Sequence, residues 1–188
     1  MFFLFEMSDS LARARLTEER KALSANRPLG MWARPLKAAD GSIDLFTWHF
    51  GIRPKASSLY HLPDDGTYRV KVEFKGTYPQ TPPICSFDPP IFHTNVWPTG
   101  VVCLSLLLEI GHHAGAGHHG YWQAGRTFPE ILNALSTFLD DPNPESVANA
   151  AACAVFKKSK SGYETEVRRV AKEYPNLLSR KLENEKKK

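Results

Sequence analysis

Residues 78–107, YPQTPPICSFDPPIFHTNVWPTGVVCLSLL, decide how this chain is read. Pro82 and Pro83 leave room for only a short strand over 84–87, because a proline cannot donate to a sheet ladder. From 88 to 100 the prolines and turn formers are too dense for regular structure, which predicts a long ordered loop. Cys103 comes directly after that loop, eight residues beyond Asn95. A thiol presented beside an amide that can donate hydrogen bonds is the minimum equipment for holding an acyl group as a thioester.

Working outward toward the N-terminus, Tyr68, Val70, Val72 and Phe74 alternate with Arg69, Lys71 and Glu73, the period of a strand with one wet face. Residues 31–36 and 43–52 read as two more strands around the Asp40-Gly41 turn. Before them, Ser8 or Ser10 can cap a helix in which Ala12, Leu16 and Leu23 recur at helical spacing, ending before Pro28 and Gly30. The opening MFFLFE is too short for a membrane span and lacks a basic flank or a small-residue cleavage site, so residues 1–6 are expected to be a disordered leader.

Toward the C-terminus, Thr127, Pro129 and Glu130 make a capping box, and Phe128, Ile131, Leu132, Leu135, Phe138 and Leu139 form the apolar stripe that follows. An alanine-rich helix is expected from Ser146 to about Phe156, and a last amphipathic one carries Tyr163, Val167, Val170, Ala171 and Tyr174. Residues 179–188 have almost nothing to bury and are expected to form a basic solvated tail. The sum is an α+β domain over residues 7–178: an N-terminal helix, a four-stranded antiparallel meander and three C-terminal helices.

The 188 residues suffice for one ordinary core. A net charge of +4 is mild, and suits an acidic protein surface as readily as nucleic acid. Cys85, Cys103 and Cys153 are odd in number and widely spaced, so free thiols in a reducing compartment, nucleus or cytoplasm, are expected.

The motif YPxxPPxCxFxPPxFHxNVxPxGxVCLSxL over Tyr78, Cys85, His93, Asn95, Gly100, Cys103 and Ser105, with Glu19 to Ala22, Trp122 and Asp141-Pro142-Asn143, resembles the ubiquitin-conjugating enzyme family, and within it the SUMO-conjugating branch. The resemblance implies an acyl-carrier transferase that needs no cofactor or metal. Cys103 would accept SUMO from the SUMO-activating enzyme and pass it, with SUMO ligases, to lysines of protein substrates; neither a membrane nor nucleic acid is an expected direct partner. The chemistry suits the residues. About 3% of a free thiol with pKa near 8.5 is thiolate at pH 7, enough for exchange with an activated thioester. A lysine is only about 0.04% neutral, so desolvating it in a groove by one to two units gains roughly ten- to hundredfold.

Individual residues carry alternatives. Asn95 can either donate to the tetrahedral oxyanion or brace its loop, while His93 is assigned to loop structure. A cysteine hydrolase built from Cys103, His93 and Asn95 is the weakest functional class; transfer of ubiquitin or another relative by the same chemistry is the nearer alternative. Ser146 stands where the SUMO branch generally carries an aspartate beside the incoming lysine, and it either positions that amine or caps the next helix. Trp97 replaces a tyrosine of the groove wall and Thr99 keeps one hydroxyl there, whereas Ile84 and Val101 replace a lysine and a second hydroxyl that meet an acidic substrate residue. Thr94 replaces a proline, and Cys153 an aromatic. Arg13, Arg20, Lys21 and Arg27 on and just after the first helix are the implied surface for the modifier and the activating enzyme, with a solvated charged face as the alternative. The inserted loop 110–120, IGHHAGAGHHG, is about nine residues longer than the family's; its four histidines are better read as a flexible loop than as a zinc site, since glycines supply no supporting shell.

Overall fold

A computed structural model describes residues 2–109 and 121–187. Helix α1 (Phe2–Asn26) is followed by strands β1 (Trp32–Lys37), β2 (Ile43–Ile52), β3 (Tyr68–Glu73) and β4 (Ile84–Phe87), then helices α2 (Phe128–Phe138), α3 (Ala150–Lys158) and α4 (Lys160–Glu185). The sheet runs β1-β2-β3-β4 with every neighbouring pair antiparallel, the meander expected from the alternating pattern. Each strand therefore hydrogen-bonds to the one before it, and no long crossover has to be closed.

One core lies between the sheet and the helices. Trp48 and Phe50 of β2 and Phe74 just after β3 meet Phe128 of α2, whose ring is 5.0 Å from Trp48 edge-on, 5.1 Å from Phe50 and 5.4 Å from Phe74. Ala12, Leu16 and Leu23 of α1 are buried as their spacing requires. Glu19 lies on the same stripe and is buried too, because its carboxylate accepts from Phe128 N at 2.9 Å and from Arg15 at 2.7 Å. A negative charge at the first turn of α2 meets unpaired backbone N–H groups and the positive end of the helix dipole. Thr127 N donates to Glu130 at 2.7 Å, completing the reciprocal half of the box read from the sequence.

Three boundaries differ from expectation, one of them the start of α3 at Ala150 rather than Ser146. Helix α1 begins at Phe2, so residues 2–6, expected as a disordered leader, form its first turns; no proline or glycine stands between Phe2 and Asn26 to end it. Helix α4 continues through Pro175 to Glu185, so most of the expected tail is helical, though its side chains stay largely exposed. Long-range charge holds it: Glu185 receives two hydrogen bonds from the buried Arg69, which also binds Asp88 at 2.8 Å, and Lys181 pairs with Asp88. The inserted loop 110–120 and its zinc alternative lie outside the described residues. Its flanks are joined, Trp122 N donating to Leu108 O at 2.9 Å.

Candidate active site

The long loop after β4 is pinned to the sheet before it reaches the thiol. Phe87 N donates to Gly100 O at 2.8 Å, Val102 N to Cys85 O at 2.9 Å, and Trp97 N to Val101 O at 2.9 Å. Gly100 has φ +94°, and a Cβ there would stand 2.2 Å from Phe87 O, so the turn that aims Cys103 requires glycine.

Cys103 is the half-exposed cysteine; Cys85 and Cys153 are buried. Burial pushes the Cys85 thiol up to about 12. Cys103 N donates to Asn95 O at 2.9 Å, and Cys103 Sγ lies 3.6 Å from Ser146 Oγ. The thiol opens on a cleft of about 470 Å³ walled by Leu104 and Leu106 on one side and by Asn133 and Thr137 of α2 on the other.

Asn95 is buried and saturated. Its Nδ2 donates to Asn143 O at 2.7 Å and Ser146 O at 2.5 Å, and its Oδ1 accepts from Thr94 Oγ1 and Asn143 N, both at 2.8 Å. Both amide hydrogens thus brace the 143–146 segment at rest, and donation to an oxyanion requires releasing one of them. Thr94 is buried as well, and its carbonyl accepts from Ala148 N at 3.0 Å and Asn149 N at 2.9 Å. This fixes the loop without the ring constraint of a proline.

His93 is removed from the list of bases. Its Nδ1 accepts from Asn95 N at 3.0 Å, its ring lies 4.4 Å from that of Phe138, and burial pulls its pKa down to about 3. Such an imidazole is neutral at physiological pH and has its acceptor occupied, so the hydrolase arrangement of Cys103, His93 and Asn95 has no working base.

Helix α3 starts at Ala150 with Asn149 as its cap, whose side chain accepts from Ala152 N at 3.1 Å. The capping alternative for Ser146 is therefore overturned: the serine sits three residues too early and its hydroxyl faces the thiol instead. Trp97 and Thr99 are exposed, and neither lines the cleft, nor do Ile84 and Val101. Ile84 and Ser86 are the outward positions of β4, and Ser86 pairs with Val101, two residues before Cys103, so these side chains share one face. Arg13 pairs with Asp9 at 2.9 Å and lies over the Phe46 ring; Arg20, Lys21 and Arg27 are exposed, and none of the four lines the cleft. Sequence reasoning missed Arg126, which does line it. The only signal was a charged residue immediately before a capping box.

A family profile described as ubiquitin-conjugating enzyme matches residues 15–171. The chain belongs to the ubiquitin-conjugating enzyme family. It is 36% identical over 171 residues to the SUMO-conjugating enzyme UBC9 of Caenorhabditis elegans, covering 91% of this chain and 96% of that one. It is also 36% identical over 165 residues to the SUMO-conjugating enzyme ubc9 of Dictyostelium discoideum, covering 88% and 96%. As in other ubiquitin-conjugating enzymes, helix, antiparallel sheet and C-terminal helices enclose the motif that carries Cys103.

Proposed function

We propose that the protein is a SUMO-conjugating enzyme working through Cys103, Asn95 and the groove of Ser146, Trp97 and Thr99. The observation that carries the site is that Cys103 alone among the three thiols opens on a cleft, beside a hydroxyl 3.6 Å away. The modifier follows from the similarity to the two SUMO-conjugating enzymes. The Cys103 thiolate attacks the thioester carbonyl carbon on the activating enzyme, whose own thiolate leaves with the electron pair. The neutral Nζ of a substrate lysine then attacks the same carbon, the C–S bond breaks, the thiolate of Cys103 is regenerated and the amine's second proton passes to solvent. Partial desolvation of the lysine beside the thiol supplies the reactive neutral fraction.

Arg13, Arg20, Lys21 and Arg27 offer basic surface on and beside α1 for the modifier and the activating enzyme, and residues 7–178 make the conjugating domain. SUMO ligases and lysine-bearing proteins are the remaining partners, in the nucleus and cytoplasm. The test is ATP-dependent loading with purified activating enzymes. A reductant-sensitive SUMO adduct on the wild type, absent from Cys103→Ala, is expected. Loading by ubiquitin and not by SUMO would overturn the choice of modifier.

A further inference from the structure

Arg126 lines the same cleft as Cys103. Its guanidinium has no hydrogen bond or ion pair among the described residues, and its Nε is buried with no partner. Arginine in a partly buried position is normally matched to a carboxylate or to carbonyl oxygens, since leaving a buried donor unpaired costs its hydration. Here the backbone beneath it is held in place. Arg15 donates to Arg126 O at 2.8 Å and Ala124 O at 3.1 Å, Arg126 N donates to Gln123 O at 3.0 Å, and Glu19 fastens Phe128 N two residues on. A fixed backbone carrying an unpaired cation is a preorganised anion receptor.

Resting on the conjugating-enzyme reading, we propose that Arg126 is a specificity residue that binds an acidic side chain in the C-terminal tail of the modifier carried on Cys103. The occupant follows from covalent geometry. The residues before the acylated carboxyl terminus are tethered to Cys103 Sγ at every turnover, so their effective concentration in the adjoining cleft is high. The acceptor lysine must reach the same carbonyl from elsewhere, and the outward face shared by Ile84, Ser86 and Val101 ends two residues before the thiol. The walls suit an extended peptide: Leu106 and Leu108 are apolar, while Asn133 and Thr137 can bond a peptide backbone. Contact at Arg126 draws the tail along the cleft and holds the thioester carbonyl in one orientation for attack, an effect on the reaction step rather than on loading.

The experiment uses full-length protein loaded to completion with SUMO, then chased with free lysine in single turnover, so that docking of a substrate protein plays no part. Arg126→Ala and Arg126→Gln should each reach the same loaded level as wild type and melt at the same temperature, the guanidinium having no partner to lose among the described residues. Both should discharge about tenfold more slowly. Neutralising the tail's acidic residues on SUMO should slow the wild type by the same factor and leave the two variants unchanged. Unaltered discharge in both variants overturns the proposal, as do losses that multiply when variant and neutral tail are combined. A defect seen with a protein substrate but not with free lysine also overturns it, assigning the carboxylate to the substrate. Failure of the wild type to load SUMO at all would instead strike the functional reading, which the loading step reports separately.

Discussion

Cys85 and Cys103 are joined across one backbone hydrogen bond, Val102 N to Cys85 O at 2.9 Å, yet they live in different chemical worlds. Cys85 is an inward position of β4, opposite Val72, with its thiol pushed up to about 12 by burial. Cys103 follows a glycine-dependent turn and opens on the cleft. The side chains are identical; what differs is whether the period of two points them into the core or out of it. Reactivity in this protein is therefore a property of register, and the loop that sets the register matters as much as the thiol.

The largest effect should come from exchanging the two thiols' roles. Cys103→Ser is expected to abolish the reductant-sensitive adduct while leaving the melting temperature within about 2 °C of wild type, since a half-exposed hydroxyl finds water. Cys85→Ser should do the reverse: the adduct forms, but a buried hydroxyl without a built partner lowers unfolding stability by about 1–3 kcal/mol. An adduct that survives on Cys103→Ser would break the comparison.

Next comes the brace. Asn95→Ala leaves Asn143 N, Asn143 O and Ser146 O without their present partners, so stability to urea should fall by about 2–4 kcal/mol and discharge by at least tenfold. If discharge falls and stability does not, the amide's contribution is to the oxyanion alone, and the bracing bonds carry little.

Much of this was legible in the sequence. β3 came from strict alternation, β1 and β2 from the turn between them, β4 from the prolines that bound it, and α2 from its capping box and stripe, because all these signals are local. Cys103 was legible as the centre of a proline-rich motif. The partners of Asn95 were not, since Asn143 and Ser146 lie about fifty residues away and nothing local marks their carbonyls. Nothing local marked Glu19 as buried, since the Phe128 N that it accepts from lies 109 positions downstream. The helical end of α4 was hidden for the same reason: residues 179–188 offered almost nothing to bury, and only Arg69 and Asp88 show why the helix goes on.

His93 sharpens the distinction between framework and chemistry through pH. Its folded pKa, about 3, lies below the ordinary value of 6.5, so between those limits the unfolded chain binds a proton that the native state refuses. Stability falls as the unfolded state takes up that proton, which puts the loss below pH 6.5 and makes it grow until pH 3 is approached. From pH 7.5 to 5.5 the contribution of this one group is about 1.4 kcal/mol. Urea titrations at the two values should show wild type losing that much more than His93→Gln, whose overall stability is lower but whose amide does not titrate. Equal losses would mean that the imidazole is reached by solvent protons in the native state.

The smallest effect concerns the open face beside Cys103. Ile84 pairs in register with Glu73, whose carboxylate is already engaged by Lys71 at 2.8 Å, so no cation is left on this part of the sheet to meet an acidic residue of a substrate. Discrimination between a peptide with glutamate two positions after the lysine and one with alanine there should accordingly be shallow in the absence of a ligase. Ile84→Lys restores a cation on an exposed position, 44% accessible, and its gain is limited by solvent and by competition from Glu73. An exposed pair of this kind is worth about 0.2–1 kcal/mol, so the glutamate peptide should gain about 1.4- to 5-fold over the alanine peptide in single-turnover transfer. The gain should shrink as salt is raised from 0.05 to about 0.3 M, because the pair is screened. A wild type that already discriminates as steeply as the variant would show that another basic group reads the acid, and would move the search for it away from β4.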